Sequence, residues 1–198
     1  MYDLESPWQW LYVRAVQLLV VVFAALVAVG ILFYAVEALG VEARAVTFPP
    51  HVECFLDNRV DGQYWSRTAR RRAWVHTFLA HVERALQGRD FPAAPIVLGV
   101  SYHESRWKPR VQGPIGEHGL MQIHPDRARA MLGPGEDPLD PDVNLRMGVD
   151  TLASCRETCG EDLARVLQCY AAGDCARPGP AARELLRYVT AAQECSTR

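Results

Sequence analysis

The chain divides by the rhythm of its apolar positions. Residues 15–36, AVQLLVVVFAALVAVGILFYAV, carry no charge and no polar stripe. A run of this length matches the ~20 residues that a helix needs to cross a hydrocarbon core. Trp8, Trp10 and Tyr12 precede it and Tyr34 stands near its end, where an interfacial aromatic belt belongs. This pattern predicts one transmembrane helix, with residues 1–37 as tail and anchor. After it the pattern changes. Residues 38–66 mix Pro49-Pro50, Gly62 and scattered charges without a period, which predicts a linker.

From residue 67 onward the apolar positions recur at helical spacing. Trp74, Val75, Phe78, Leu79, Val82 and Leu86 fall on one face, and Gly88 ends the run. Pro95 opens a second helix, IVLGVSYHES, which Pro109 prevents from continuing far. Residues 110–122 are rich in Gly and Pro and predict a loop or short hairpin. Four more helices follow: PDRARAML, PDVNLRMGVDTLASCRET with Asp140 or Asp142 as cap, EDLARVLQCYAAG, and GPAARELLRYVTAAQE. The expected fold is mainly α, a single domain over residues 67–198 with a small β or irregular lobe, behind one N-terminal transmembrane helix.

Charge and cysteine usage refine this picture. A formal net charge of -2 over 198 residues gives no reason to expect a nucleic-acid partner. The basic cluster Arg67, Arg70, Arg71 and Arg72 is most simply a solvated helix face. All six cysteines (Cys54, Cys155, Cys159, Cys169, Cys175 and Cys195) follow the apolar run. Their even number suits disulfides in an oxidising compartment, with the N-terminus inside and the domain outside. Cys155 and Cys159 lie one helical turn apart, too far for each other's Cβ, so each must reach elsewhere; the sequence does not choose among the remaining partners. Zinc is the rival reading, but no second close pair with a matching His follows. A cleaved signal peptide is the rival for the N-terminus, since Ala43-Arg44-Ala45 resembles a cleavage site. The apolar run exceeds the usual ~7–15 residues, and its leading segment is acidic rather than basic. Either way the remainder of the chain is exported.

The candidate chemistry begins with SYHESRWKP, residues 101–109. His103-Glu104 suggests half of a zinc-protease H-E-x-x-H site, but the second His would stand at Trp107, which cannot ligate zinc. Glu104 is therefore a lone acid. A carboxylic acid at the end of an apolar helix and facing a cleft loses hydration, which favours its protonated, proton-donating form. The stretch ESRWKPRVQGPIGEHGLMQIHP frames it. Glu104, Ser105, Trp107, Pro109, Val111, Gln112, Pro114, Gly116, Gly119-Leu120-Met121-Gln122 and Pro125, then Asn144, Gly148, Tyr170 and Gly173, resemble the catalytic motifs of the soluble lytic transglycosylases. These are lysozyme-like enzymes that cleave peptidoglycan. The resemblance covers roughly residues 90–195.

The resemblance implies a small α-helical lysozyme-like domain in which Glu104 is the single catalytic acid/base. It implies that the GLMQ segment forms the opposite cleft wall. Gln122 and Tyr170 would line the cleft, with Tyr170 holding the Glu104 carboxyl. Ser105, Met121, His124 and Asn144 are the further substrate-binding candidates, although Met121 also reads as core and Asn144 equally as a structural hydrogen-bonding residue. The implied partner is the peptidoglycan glycan strand, cut between N-acetylmuramic acid and N-acetylglucosamine with closure of a 1,6-anhydro ring. No metal or cofactor is called for. Residues 15–36 add the lipid bilayer as partner, and an envelope secretion or conjugation complex is a further candidate. The implied location is the bacterial inner membrane, single-pass, with the catalytic domain on the periplasmic side.

Four positions depart from the family pattern: Gly113 where Ser is common, Glu117 where a small residue is common, His124 where an apolar residue is common, and Ala171 in place of an Asn. If Glu117 points inward it offers a second carboxylate and a lysozyme-type hydrolysis. From a different class comes a catalytically silent wall-binding module, against which the joint presence of Glu104, Gln122 and Tyr170 argues.

Overall fold

The structure, a computed structural model, describes residues 48–58 and 68–197, together with the isolated helical positions Leu19 and Val22. The expected membrane span over residues 15–36 otherwise lies outside the described residues, as do residues 38–47 and 59–67. Among the described residues no helix is long and apolar enough to cross a membrane.

Seven helices are described: α1 (Pro50–Asp57), α2 (Ala69–Leu86), α3 (Ala94–Ser105), α4 (Pro125–Met131), α5 (Pro141–Cys159), α6 (Leu163–Ala172) and α7 (Pro180–Ser196). Their starts follow local chemistry. Thr68 Oγ1 accepts from the Arg71 N–H at α2, the Asp140 carboxylate accepts from the Asp142 and Val143 N–H groups at α5, and Asp162 does the same for Ala164 at α6. Each satisfies donors that a helix start leaves without partners. Pro lies in the first turn of α1, α3, α4, α5 and α7, where its missing N–H is not needed.

Helix α3 is the centre of the domain. Every residue from Ile96 to Tyr102 is buried, which explains why its sequence has no polar stripe. It lies directly on α7, and a Cβ at Gly99 would come 2.6 Å from the Val189 Cα. The close approach is possible only because residue 99 has no side chain. Helix α7 meets α3 with Leu185, Tyr188, Val189 and Ala192, all buried, at the i, i+3, i+4 spacing of one face.

One expectation is corrected here. Residues 48–58 were expected within a linker, yet α1 belongs to the domain. Val52, Phe55 and Leu56 are buried, and the Phe55 ring meets Tyr102 edge-on with centroids 5.1 Å apart. Cys54 bonds to Cys195, tying α1 to α7. The other disulfides are Cys155–Cys169 and Cys159–Cys175. As the helical spacing required, Cys155 and Cys159 do not bond to each other; both reach to α6 and the turn after it. No described cysteine is free.

Between α3 and α4 the chain forms the expected small irregular lobe. It contains two isolated antiparallel bridges, Gln112 with His118 and His118 with Ile123. His118 and Ile123 exchange N–H···O bonds at 3.0 Å in both directions.

Candidate functional site

Glu104 sits in the last turn of α3, its side chain 19% exposed. The helix stops two residues later because Arg106 turns left-handed at φ 54°. Trp107 then folds inward and is fully buried, its indole N–H donating to the Leu98 carbonyl at 3.2 Å and to Ser101 Oγ at 3.1 Å. The residue that excluded the zinc reading is therefore a core anchor under the site. Glu104 opens onto a cleft of about 480 Å³ that is also bordered by His103, Glu117, Gln122, Arg127 and Tyr170. His103 Nδ1 lies 3.6 Å from the nearer Glu104 carboxylate oxygen, and its ring rests against Tyr188 with centroids 5.5 Å apart. A larger apolar hollow of about 650 Å³ beside α2, bordered by Leu79, Val82 and Leu98, contains none of the candidate site residues.

The wall facing Glu104 is the segment around Gly119-Leu120-Met121-Gln122, and polar side chains hold it in place. Asn144, fully buried on α5, makes three hydrogen bonds. Its Oδ1 accepts from the Met121 N–H at 2.8 Å, and its Nδ2 donates to the carbonyls of His118 and Pro138, each at 2.8 Å. Gly119 has φ +67°, and a Cβ there would meet the Asn144 amide at 2.7 Å; conformation and space both demand glycine. Gln122 is left-handed at φ 43°, a strained state for a residue with a side chain. Its Nε2 donates to the carbonyls of Gly119 (2.8 Å) and Val111 (3.2 Å), which turns Oε1 toward Gly113.

Tyr170 closes the arrangement from α6. Its hydroxyl donates to the Met121 carbonyl at 2.5 Å. Burial pushes its phenol pKa well above the ordinary value, the Glu104 charge pushes it further, and Arg127 opposes in part. Tyr170 therefore remains a neutral donor, and that donor supports the loop. The one proton of the hydroxyl thus goes to the wall opposite Glu104.

The candidate residues separate on this geometry. Glu104, Gln122, His124 and Tyr170 border one cleft. Ser105, Met121 and Asn144 do not. Ser105 is buried and donates to the Ser101 carbonyl at 2.9 Å, bonding back within its own helix. Met121 is fully buried in the core, and Asn144 is a loop staple. His124 caps α4, its Nδ1 accepting from the Asp126 N–H at 3.3 Å. Sequence reasoning left out Arg127, one helical turn beyond His124 and on the same face. His103, considered only as a zinc ligand, is a cleft residue.

Glu117 also borders the cleft. Its Oε2 accepts from the Ile115 N–H at 3.1 Å and covers Gly113, where a Cβ would lie 2.3 Å from that oxygen. Two of the four departures from the family pattern are thus one feature. The carboxylate of Glu117 fills the space that a side chain at position 113 would need.

Residues 85–179 match the family model described as Transglycosylase SLT domain. The soluble lytic murein transglycosylase of Escherichia coli K12 is 27% identical over 123 residues, covering 58% of this chain and 18% of that protein. The protein of the same description from Salmonella typhimurium matches over the same extent. The chain thus corresponds to less than a fifth of the length of these relatives. Among solved structures, an inactive mutant of lytic transglycosylase Slt from Pseudomonas aeruginosa superposes with a TM-score of 0.53 at 19% identity, covering 71% of this chain and 28% of that one. A likeness at that identity speaks to the fold.

Proposed function

We propose, with residues 85–179 belonging to the lysozyme-like transglycosylase SLT domains, that this protein is a membrane-anchored peptidoglycan lytic transglycosylase with Glu104 as its acid/base. One observation carries the reading. A partly buried carboxyl at the end of an apolar helix faces a strained loop, and that loop is fixed by Asn144, Gln122 and Tyr170.

The chemistry needs one carboxyl group. Protonated Glu104 gives its proton to the glycosidic oxygen between N-acetylmuramic acid and N-acetylglucosamine, and the C1–O bond breaks. The muramoyl acetamido oxygen supports the cationic C1, as in substrate-assisted glycosidases. The Glu104 carboxylate then takes the proton of the muramoyl 6-hydroxyl as O6 bonds to C1. The 1,6-anhydro ring closes, Glu104 is again protonated, and no water is consumed. The 6-hydroxyl is already tethered to the reacting sugar, which gives it an advantage over a free nucleophile. The apolar run at residues 15–36 supports the anchor, and three disulfides support an oxidising, extracytoplasmic setting for the domain.

A second reading has an observation of its own. Glu117 brings another carboxylate to the same cleft, and a carboxylate that activates water yields hydrolysis. Mass spectrometry of sacculi digested with the detergent-solubilised full chain separates the two. Anhydro-ended muropeptides as the main product are expected. Reducing ends, one water heavier, as the main product would replace the transglycosylase reading with hydrolysis through Glu117.

A further inference from the structure

Arg127 is a cation that forms no ion pair among the described residues. It lies half-buried in the first part of α4 and borders the cleft with Glu104 and Glu117. Neither carboxylate is within ion-pair distance of it, and among the described residues it pairs with no other acid. The contrast with Arg129 on the same helix is direct. Arg129 takes the adjacent Asp126 at 2.9 Å, and the remaining attention of Asp126 goes to His124 at 3.7 Å. Arg127 points the other way, into the cleft, where its charge acts on the Tyr170 phenol.

A guanidinium does not shed its proton to escape partial burial. It is a planar fork of N–H donors whose natural complement is a carboxylate gripped by two hydrogen bonds. The sugar rings of a glycan strand are neutral. Carboxylates enter only at the muramoyl lactyl group, either on the peptide attached there or on the lactyl acid itself where the peptide has been removed.

We propose that Arg127 is a specificity residue that binds a substrate carboxylate borne on the muramoyl lactyl arm, so that the cleft distinguishes acid-bearing strands from neutral ones. The inference rests on the proposed function and names what its cleft selects.

The test is titration calorimetry of the full chain carrying Glu104→Gln, with and without Arg127→Gln. Three tetrasaccharides serve as probes: a peptide-bearing muramoyl-glucosamine oligomer, the same oligomer stripped by an amidase to expose the lactyl acid, and an N-acetylglucosamine oligomer with no carboxylate. Loss of a charged, two-pronged hydrogen bond predicts at least about tenfold weaker binding of carboxylate-bearing probes. Binding of the neutral oligomer should stay within about twofold. Arg127→Lys, which keeps the charge without the fork, should fall between. A loss confined to the peptide-bearing probe assigns the carboxylate to the peptide, a loss confined to the stripped probe assigns it to the free lactyl acid, and a loss on both shows that Arg127 grips whichever carboxylate the arm carries. Unchanged binding of all three, or an equal loss on the neutral oligomer, overturns this inference alone. Failure of the Glu104→Gln chain to bind any probe would overturn the proposed function with it.

Discussion

The two walls of the cleft are held by different physics. The helical wall, built from α3, α6 and α7, rests on close apolar contact through Gly99, Leu185 and Val189, and is tied to α5 and α1 by disulfides. The loop wall, residues 110–124, has no regular structure. It buries Leu120, Met121 and Ile123, and short backbone bonds such as the His118–Ile123 pair are supplemented there by side-chain amides and one phenol. The comparison shows why the motif is so polar. A segment that presents a strained backbone cannot form a full helix or sheet ladder, so the buried N–H and C=O groups that its few backbone bonds leave over need side-chain partners. Only residues with the right donors at the right reach supply them.

The largest effect should come from the loop staple. Asn144→Ala removes three buried hydrogen bonds at once, leaving the Met121 N–H and the Pro138 carbonyl without partners and the His118 carbonyl with only its bond from Ile123. A loss of about 3–5 kcal/mol is expected, read from the urea midpoint. Hydrogen exchange at Met121 and Ile123 should rise further than at α7. Equal exchange gains in both walls would break the distinction drawn between them.

Cutting the helical wall should do the reverse. Replacing Cys159 and Cys175 with Ala opens a disulfide spanning 16 positions, with an expected loss of about 3 kcal/mol. Exchange should quicken in the C-terminal turn of α6 and the segment after it, while the loop amides stay protected. A loop that loosens as much as α6 would mean that the disulfide, rather than the amide staples, holds the motif.

Tyr170 bridges the walls and gives a smaller, pH-dependent test. Tyr170→Phe deletes one hydrogen bond to a buried carbonyl, with an expected loss of about 1–2 kcal/mol near neutrality. Because the folded phenol titrates above its ordinary value of 10.0, the stability it contributes is complete below that pH. It is lost as pH rises through the folded pKa. The gap between wild type and Tyr170→Phe should therefore narrow above pH 10. A gap that widens there would show that the phenol ionises more readily in the folded state.

Much of this architecture was legible in the sequence, and the exceptions have physical causes. The six helices after residue 67 followed from period, caps and Gly or Pro boundaries. Helix α1 does not stand out in the sequence because Pro49-Pro50 reads as linker, although Pro in the first turn opens a helix. Val52, Phe55 and Leu56 already had the spacing of one buried face. Glu104 stands out through the family resemblance of the glycines and amides that flank it. What the motif did not reveal is which side chains face the ligand. Ser105, Met121 and Asn144 stand among motif positions because they build the wall, and pattern alone does not separate a residue that touches substrate from one that holds its neighbour. The exchange between Gly113 and Glu117 was visible only as two separate departures, since their meeting depends on the turn between them. Arg127 does not stand out in the sequence because arginines in a short exposed helix ordinarily face solvent, as Arg129 does.

The central claim is that Glu104 is the proton donor and acceptor in a cleft whose shape does not depend on it. The direct measurement is release of soluble muropeptides from purified sacculi by wild type and Glu104→Gln, with thermal midpoints recorded on the same samples. Glu104→Gln should abolish release, a loss of at least about a thousandfold, while sacculus binding and midpoint remain near wild type. The substitution keeps the side chain's volume and removes its exchangeable proton. Release at a rate close to wild type would contradict the assignment of Glu104, and with it the function proposed for this cleft.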